Sequence, residues 1–272
     1  MCVSTFASNA LGQAKEKTAP ITPKSGVIRL FNGKDLEGLY TFLEDTKYED
    51  PRKIFSVHDG LLAISGDGYG GVVTRQAYRD YHLVCEFKWG KRTWLARERR
   101  ARDSGILVHG NGPDGSYLAR WLTSFEAQII QGGLGDLLVV NGVDDKHNPM
   151  PISLSAEVTT DRDGEIVWRK GGQQQTFHTG RINWYGRDPD WKDVLDFRGA
   201  SDIPGPNNGW TRMEVICSGN GIRIMVNGVL VNEASGANPS SGKITLQTEA
   251  AEIFVRRWEL WPLDATPTDK SQ

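Results

Sequence analysis

Apolar and polar side chains alternate at every second position along most of the chain, in short runs separated by turns. Residues 81–88 (YHLVCEFK) carry apolar or aromatic side chains at the odd positions, which is typical of a strand that buries one face. Residues 221–231 predict the clearest hairpin, because Asn227-Gly228 lies between two alternating runs and supplies the positive φ that a two-residue turn needs. Residues 243–248 and 252–258 predict a closing pair of strands.

This pattern predicts an all-β fold of about a dozen short strands, and no segment has the period of a major amphipathic helix. Glycine makes up 31 of the 272 residues, more than the usual ~7%. Many short strands with frequent turns indicate a sandwich or a closed barrel. The lack of a repeat of fixed period argues against a propeller. One domain over residues 27–262 accounts for the whole pattern.

The composition excludes several classes of protein. The 32 Lys and Arg residues against 34 Asp and Glu residues give a net charge of −2, whereas proteins that bind nucleic acid through its phosphates are normally basic. No run approaches the ~18 apolar residues of a membrane-spanning helix. Cys2, Cys85 and Cys217 are too few for a disulfide framework. We expect Cys85 and Cys217 to be buried thiols, with a single disulfide as the alternative; the oligomeric state is left open.

The two ends differ from the body of the chain. Residues 1–26 begin with small, mildly apolar residues and then turn polar, so we expect a disordered segment there and a tail at residues 263–272. Residues 7–14 have the small-residue spacing of a signal-cleavage region, without the basic start and long apolar core of a full signal. Read as the remnant of an export signal, this segment predicts a periplasmic or extracellular location; a cytoplasmic tail is the alternative.

Two polar insertions interrupt the alternation. Residues 91–102 hold six basic residues, Arg102 among them, against one Glu; they fit either a solvated loop or a rim for hydroxyl-rich or anionic ligands. Residues 176–206 are rich in Trp, Arg and Asp, and long loops of this kind are often functional. Their Trp184 and Trp191 are expected either to stack on sugar rings or to plug the insertion onto the sandwich.

Strand parity places the candidate chemical groups on one face of three strands, since successive side chains in a strand point to opposite sides. Apolar residues at 106, 108, 127, 129, 244 and 246 share the side expected to face the core. The opposite side gathers Asp103, His109, Glu126, Gln128, Gln247 and Glu249. Carboxylates, an imidazole and amides in one groove suit proton transfer on a polyhydroxylated ligand. Each residue taken singly fits an ordinary solvent-facing side chain, but the coincidence across three strands favours a site.

Several familiar mechanisms have no motif in this chain. There is no Glu-x-Asp-x-x-Glu strand, so direct hydrolysis by a carboxylate pair on that motif is not indicated. There is also no Gly-x-Ser-x-Gly elbow, no Walker loop and no His-Glu-x-x-His metal motif.

Eight short segments, in order along the chain, resemble the 3-keto-disaccharide hydrolase domain family. They are residues 31–38 (FNGKDLEG), 57–62 (VHDGLL), 81–87 (YHLVCEF), 103–106 (DSGI), 125–129 (FEAQI), 209–211 (GWT), 226–228 (VNG) and 242–247 (GKITLQ). Their order over residues 28–260 makes the resemblance specific. It implies an all-β, concanavalin A-like jelly-roll β-sandwich of two antiparallel sheets, in a bacterial and usually exported protein of carbohydrate metabolism.

The activity that the resemblance implies is cleavage of 3-keto-glycosides by elimination and hydration, with net hydrolysis of the glycosidic bond. A ketone at C3 acidifies the C2 proton, so this chemistry needs a base, an acid and a group that stabilises the enolate oxygen. Glu126, His109 and Asp103 are the candidate catalytic residues. Glu126 and His109 would serve as acid and base, while Asp103 and Gln128 would orient the substrate.

Other residues are candidates for holding the ligand. The further expected carbohydrate contacts are Gln247, Glu249, Arg102, Arg187 and Trp191. A divalent metal ion at the enolate oxygen would take Glu126, Asp103 or Glu249 as hard oxygen ligands, although the sequence does not require a metal.

The chain departs from the family pattern at three positions. Asp103 stands in place of the usual Asn, His109 in place of the usual Arg, and Gln131 in place of the usual Asp after the Glu-x-Gln-Ile strand. These changes leave two alternatives to the enzyme. One is a non-catalytic, lectin-like carbohydrate-binding module and the other is a structural domain, since a fold does not fix a function.

Overall fold

A computed structural model describes residues 19–203 and 209–268. Its regular structure is almost entirely β. The strands are β1 (Ile28–Arg29), β2 (Leu39–Leu43), β3 (Phe55–His58), β4 (Leu61–Ile64), β5 (Tyr69–Thr74), β6 (Tyr81–Thr93), β7 (Gly105–Asn111), β8 (Thr123–Gln128), β9 (Leu137–Val140), β10 (Ser153–Thr160), β11 (Ile166–Trp168), β12 (Gln173–Phe177), β13 (Gly180–Ile182), β14 (Thr211–Ser218), β15 (Gly221–Val226), β16 (Val229–Asn238), β17 (Lys243–Glu249) and β18 (Ala251–Trp261). One short 3₁₀ helix spans Leu95–Glu98.

Two antiparallel sheets carry these strands. The smaller has seven strands in the order β13-β9-β8-β7-β17-β5-β2. The larger has eleven, along the path β11-β10-β16-β15-β14-β6-β18-β4-β3, with β1 paired to β18 and β12 paired to β10. The expected concanavalin A-like jelly-roll sandwich is confirmed. The 18 strands exceed the predicted dozen. Among those not expected are β12 and β13, short strands without clear alternation in and before the insertion at residues 176–206.

The hydrophobic core is built from residues of both sheets. From the larger sheet, Leu83, Cys85 and Phe87 of β6 are buried and belong to the core cluster, and from the smaller sheet Ile106 and Leu246 belong to it. Alternation therefore works as predicted: one face of each strand enters the core, and its neighbours in sequence point away. Burial of this apolar surface is the main force that holds the two layers together.

The predicted hairpin at Asn227-Gly228 is correct, but the predicted pairing of the two final strands is wrong. Asn227 and Gly228 have φ values of 47° and 81°, and they join β15 to β16 as expected. By contrast, β17 and β18 do not pair. β17 lies between β7 and β5 in the smaller sheet, whereas β18 lies between β6 and β4 in the larger one. The chain crosses between layers at Ala250, whose φ is 57°.

The ends of the chain bear on the predicted domain limits. Ile21 pairs with Tyr78, so the chain joins the fold before residue 27, the predicted start. Residues 1–18, where most of the expected export-signal remnant falls, lie outside the described residues. After β18, the carbonyl of Thr268 accepts a 2.7 Å hydrogen bond from Arg257 Nη1. Within the described ranges, no helix is long and apolar enough to cross a membrane.

Cys85 and Cys217 are both free and buried, so the thiol expectation is confirmed. Burial raises the pKa of the Cys85 thiol far above its usual range, and it raises the pKa of Cys217 to about 12. Since the thiolate is the reactive form, we expect neither thiol to be alkylated by iodoacetamide in the native protein at pH 8, and both to react in urea. Peptide mass spectrometry measures this.

A reactive control is available at Val229, which is 38% exposed: a Val229→Cys protein should be alkylated in its native state. Rapid native alkylation of Cys85, or a Cys85–Cys217 cross-link, would contradict the burial described here.

Candidate active site

The register of the seven-stranded sheet places the predicted polar groups side by side. Gly105 of β7 is opposite Gln128 of β8, and Leu107 is opposite Glu126. On its other edge, β7 pairs with β17, which carries Gln247. The sheet side that faces away from the core therefore presents Asp103, Glu126, Gln128, Gln247 and Glu249, and we call these five residues the polar face. Their predicted grouping is correct.

Gly105 lies at the centre of the polar face and makes its geometry feasible. A Cβ at this position would lie 2.2 Å from Glu126 Oε1 and 2.5 Å from Gln247 Oε1. Both distances are far below van der Waals contact, so only glycine lets the two side chains approach each other across β7. They do so closely enough for the Gln247 side chain to form a hydrogen bond with the Glu126 carboxyl group.

The polar face is sealed from solvent, although it lies on the outer side of its sheet. Asp103 is 3% exposed, Glu126 4% and Gln247 1%. Arg97, from the 3₁₀ helix in the first insertion, reaches over it: its Nη2 contacts Asp103 Oδ2 and lies 3.4 Å from Glu249 Oε1. The first insertion therefore covers the site. It is not a freely solvated loop, which was one of its two expected forms.

The second insertion contacts the first one and holds it in place. Asp193 accepts hydrogen bonds from Arg97 Nη1 at 3.2 Å and from the backbone N–H of Ala101 at 3.1 Å. The N–H of Leu195 donates to the carbonyl of Arg99 at 3.1 Å. These contacts join the two insertions beside the polar face. We call the two segments together, residues 91–102 and 187–203, the lid.

Burial and charge separate the pKa values of the two central carboxyl groups. Desolvation, reinforced by the negative charge of Asp103, raises the pKa of Glu126 to about 8. Desolvation also raises the pKa of Asp103, but Arg97 and Arg181 favour its charged form and limit the value to about 6. At neutral pH, Glu126 is therefore mainly protonated and Asp103 mainly ionised. Carboxyl groups whose environments separate their pKa values in this way are common in enzymes that use an acid and a base.

Glu249 completes the acidic cluster. Desolvation, together with the charges of Asp103 and Glu126, raises its pKa well above the ordinary range. Arg97 lies between Asp103 and Glu249 and opposes part of this effect. Burial therefore disfavours the charged form of all three carboxyl groups, and the Arg97 guanidinium offsets part of this effect at Asp103 and Glu249.

Several buried oxygens of this region have no hydrogen-bond partner: Asp103 Oδ1, Gln128 Oε1, Gln247 Oε1 and Thr245 Oγ1. Orphaned polar atoms are rare in protein interiors. Three of these four are pure acceptors, so a ligand with several hydroxyl groups would satisfy them.

Asp136 supports the polar face from the next strand and was missed by the sequence reasoning. Its backbone carbonyl accepts from Gln128 N–H at 2.9 Å. Its wholly buried carboxylate contacts Arg187 Nη1, lies 3.2 Å from Arg181 Nη1 and accepts from the N–H of Trp184 at 2.9 Å. Arg187, expected as a substrate contact, is instead enclosed in this cluster. Nothing in the spacing around Asp136 indicated these partners, which lie more than forty positions away.

The placement of His109 on the polar face is wrong. The register of β7 and β8 shifts between Val108 and Asn111, and His109 adopts a φ of 56°. This bulge turns the ring into the core, where it packs edge-on against Tyr81 and Phe125, with centroids 6.2 Å away in each case. Burial lowers the pKa of His109 to about 4, so the imidazole is neutral and remote from Glu126.

Two other expected ligand contacts lie in the lid's internal packing. Arg102 forms an ion pair with Asp196, on the opposite side of the chain from Asp103. Trp191 donates from Nε1 to the carbonyl of Gln131 at 2.8 Å, and the Arg187 guanidinium lies 4.4 Å from the centre of its ring. Trp191 therefore plugs the insertion onto the sandwich, which was one of its two expected roles. Arg97, by contrast, was not singled out, although the excess of basic residues in its insertion was a signal.

The acidic groups of the polar face do not converge as a metal site would require. Within the described residues, the one group of three His, Cys, Asp or Glu residues with ligand atoms all within 4.8 Å is Asp161, Asp163 and Glu165. Asp103, Glu126 and Glu249 do not form such a group, and the Arg97 guanidinium lies between two of them. The expected metal ligands therefore do not fit a shared ion in this arrangement. Asp161, Asp163 and Glu165 lie on a largely exposed turn away from these carboxyl groups.

The protein is thus a two-sheet β-sandwich with a group of carboxyl and amide side chains on the outer side of its smaller sheet. The domain family described as 3-keto-alpha-glucoside-1,2-lyase-like matches residues 26–260, and the chain belongs to this family. A search of curated proteins found no match.

A search of solved structures finds matches of low identity to this chain. A putative glycosyl hydrolase from Parabacteroides distasonis is 19% identical, with 88% of this chain and 94% of that one covered and a TM-score of 0.49. A β-glucanase from Bacillus licheniformis is 14% identical, over 87% and 98% of the two chains, with a TM-score of 0.44. The carbohydrate-binding module CBM66 from Bacillus subtilis is 10% identical, over 82% and 94%, with a TM-score of 0.43.

We expect Gly105→Ala to disrupt the polar face. The added methyl group would overlap Glu126 and Gln247, so we expect a loss of about 1–3 kcal/mol in the free energy of unfolding, as for other overpacked sites. Urea denaturation followed by tryptophan fluorescence measures this.

Gly221→Ala is the matched control, because a Cβ there would meet no atom closer than 3.3 Å. Its stability should stay within about 0.5 kcal/mol of the original protein. Equal stability of the two variants would mean that Glu126 and Gln247 are not packed over Gly105.

Proposed function

We propose that this protein is a carbohydrate-active enzyme that cleaves 3-keto-glycosides by elimination and hydration. The observation that carries the proposal is the pair of buried carboxyl groups with pKa values of about 6 and about 8 on one sheet face. Membership of the 3-keto-alpha-glucoside-1,2-lyase-like family supports it. Because His109 lies in the core, we assign Glu126 as the acid and Asp103 as the base.

In the elimination step, the ionised carboxylate of Asp103 removes the proton from C2 of the 3-keto sugar. The C–H electron pair moves into an enolate whose negative charge lies on O3. As the enolate collapses, the C1–O bond breaks and its electron pair goes to the leaving oxygen, which takes the proton of Glu126. The products are a free alcohol and a sugar with a C1=C2 double bond, and no cofactor is consumed.

The hydration step returns both carboxyl groups to their starting protonation states. Ionised Glu126 takes a proton from water, whose oxygen bonds to C1, and protonated Asp103 returns its proton to C2. The Arg97 guanidinium, anchored by Asp103 and Glu249, supplies positive charge beside the developing enolate. The amides of Gln128 and Gln247 bind sugar hydroxyl groups through their unpaired oxygens. A periplasmic or extracellular location belongs to the same proposal.

The direct test is incubation with a panel of 3-keto-glucosides, 3-keto-trehalose included, with and without EDTA, while the released alcohol or sugar is quantified. We expect release that EDTA leaves unchanged. Glu126→Gln keeps the shape of the side chain but removes the acid, and should lower kcat by about 10²- to 10⁴-fold, with substrate binding retained.

The control is Glu233→Gln, an exchange on β16 in the other sheet, which should turn over normally. If the whole panel is bound but not cleaved, the lectin-like alternative is correct and the enzyme proposal fails.

The pH dependence of kcat/KM should be bell-shaped. Activity should fall as the pH drops below about 6, because Asp103 must be ionised, and as it rises above about 8, because Glu126 must be protonated. The negative charge of Asp136 also raises the pKa of Glu126, so Asp136→Asn should move the basic limb to lower pH. A basic limb that moves to higher pH, or a flat profile, would contradict these assignments.

A further inference from the structure

A cavity of 630 Å³ lies between the β11 edge of the larger sheet and the second insertion. Its volume is within the range of about 300–1,000 Å³ that is typical of small-molecule sites. One wall comes from the end of β10, the turn that follows it and β11, and the other comes from the second insertion. None of the five residues of the polar face lines this cavity, and no step of the proposed reaction uses it.

Tyr185 gives the cavity an accessible aromatic ring. It lines the wall formed by the second insertion and is 48% exposed. Trp168 and Trp184, which are 6% and 2% exposed, pack against it with ring centroids 6.0 Å and 5.4 Å away. The two buried indoles hold the tyrosine ring in place, while about half of this residue stays in contact with water. Stacking on a sugar ring, which was one of two roles expected for Trp184, is therefore open to its neighbour.

The rest of the lining supplies accessible polar groups. Thr159, Thr160 and Arg169 line the cavity and are exposed. Within the described ranges, their side chains form no hydrogen bond or ion pair, so two hydroxyl groups and a guanidinium are free to bond a ligand. The carboxyl groups of Asp161 and Asp188 lie on the same lining and add acceptors.

The charges of the lining are balanced, which limits the kind of ligand that fits. Asp161 and Asp188 oppose Arg169 and Arg187, and Arg187 is itself paired with Asp136. The cavity therefore has no surplus of positive charge for a phosphate or a carboxylate group. Its walls suit a neutral molecule with one apolar face and a rim of hydroxyl groups. A pyranose ring has this character, since its C–H groups form a face and its hydroxyl groups lie at the edge.

We propose that this cavity is a carbohydrate site, separate from the polar face, that binds a neutral pyranose with its C–H face against the Tyr185 ring and its hydroxyl groups on the polar wall. A ligand without hydroxyl groups fits less well, because it would displace water from the polar wall without replacing its hydrogen bonds. Binding needs no ketone at C3. The cavity thus adds a sugar-holding site to a protein whose proposed reaction takes place elsewhere.

The test is titration of the full-length protein with glucose, maltose, cellobiose and trehalose, followed by saturation-transfer difference NMR. None of these sugars carries a 3-keto group, so the result does not depend on turnover or on the proposed function. We expect saturable binding of at least one of them, with the strongest transfer to the C–H protons of one ring face. Glucuronic acid and glucosamine, which place a charge on the same ring, should bind no more tightly than glucose.

Two positions test the cavity from opposite sides. Tyr185→Ala removes the ring and should weaken binding about tenfold, whereas Tyr185→Phe keeps the ring and should retain most of the affinity. Ser201→Trp changes an exposed residue of the lining, and its larger side chain should fill the cavity and abolish binding. Thermal melts establish that each variant is folded.

Tyr48→Ala is the control for loss of an exposed tyrosine, since Tyr48 is 61% exposed and does not line the cavity. Its affinity should stay within about twofold of the original. The proposal is overturned if no sugar of the panel binds saturably, or if Tyr185→Ala and Ser201→Trp bind as well as the original protein. Tighter binding of either charged sugar than of glucose, or an equal loss in Tyr48→Ala, would overturn it as well.

Discussion

The desolvation of acidic groups on the outer side of the smaller sheet determines the protonation states in the candidate site. A carboxylate moved out of water is costly, and it either finds a cation or takes up a proton. Here Asp103 finds Arg97 and stays mainly ionised at neutral pH, while Glu126, which shares the region with Asp103 and has an amide for a partner, stays protonated. The difference between two like groups arises from their surroundings and not from their chemistry.

This arrangement has a thermodynamic consequence. The pKa of Glu126 is higher in the folded protein than the 4.5 of a free glutamate, so the folded state holds this proton more tightly than the unfolded chain. Its contribution to stability is complete below pH 4.5 and is lost as the pH rises through about 8. The fold therefore gives up some stability near and above neutral pH in order to keep an acid in the site, as functional sites often do.

The lid and the polar face depend on each other. The Arg97 guanidinium opposes the rise in pKa that burial causes at Asp103 and Glu249, and the charges of these two carboxyl groups in turn raise the pKa of Arg97. Asp136 links this system to the second insertion, because it holds both Arg187 and the backbone of Trp184.

The alternation of residues in the sequence predicted which side chains of these strands share one face of the sheet. The alternation at residues 126–128 and 245–249 placed Glu126, Gln128, Gln247 and Glu249 on one face, and their register confirmed it. Strand alternation predicted the wrong side of the sheet for His109, because a single-residue shift in pairing turns a side chain to the other side. It also gave no indication of Asp136 or of the Arg97–Asp193 contact, since loop packing over a long sequence separation leaves no local pattern.

The central claim is that Glu126 carries a proton at neutral pH inside a sealed site. Infrared difference spectroscopy of the original protein against Glu126→Gln detects the carbonyl stretch of a protonated, buried carboxyl group directly. The account predicts that this band is present at pH 7 and is replaced by carboxylate bands as the pH rises past about 8. A difference spectrum that shows only carboxylate at pH 7 would contradict it.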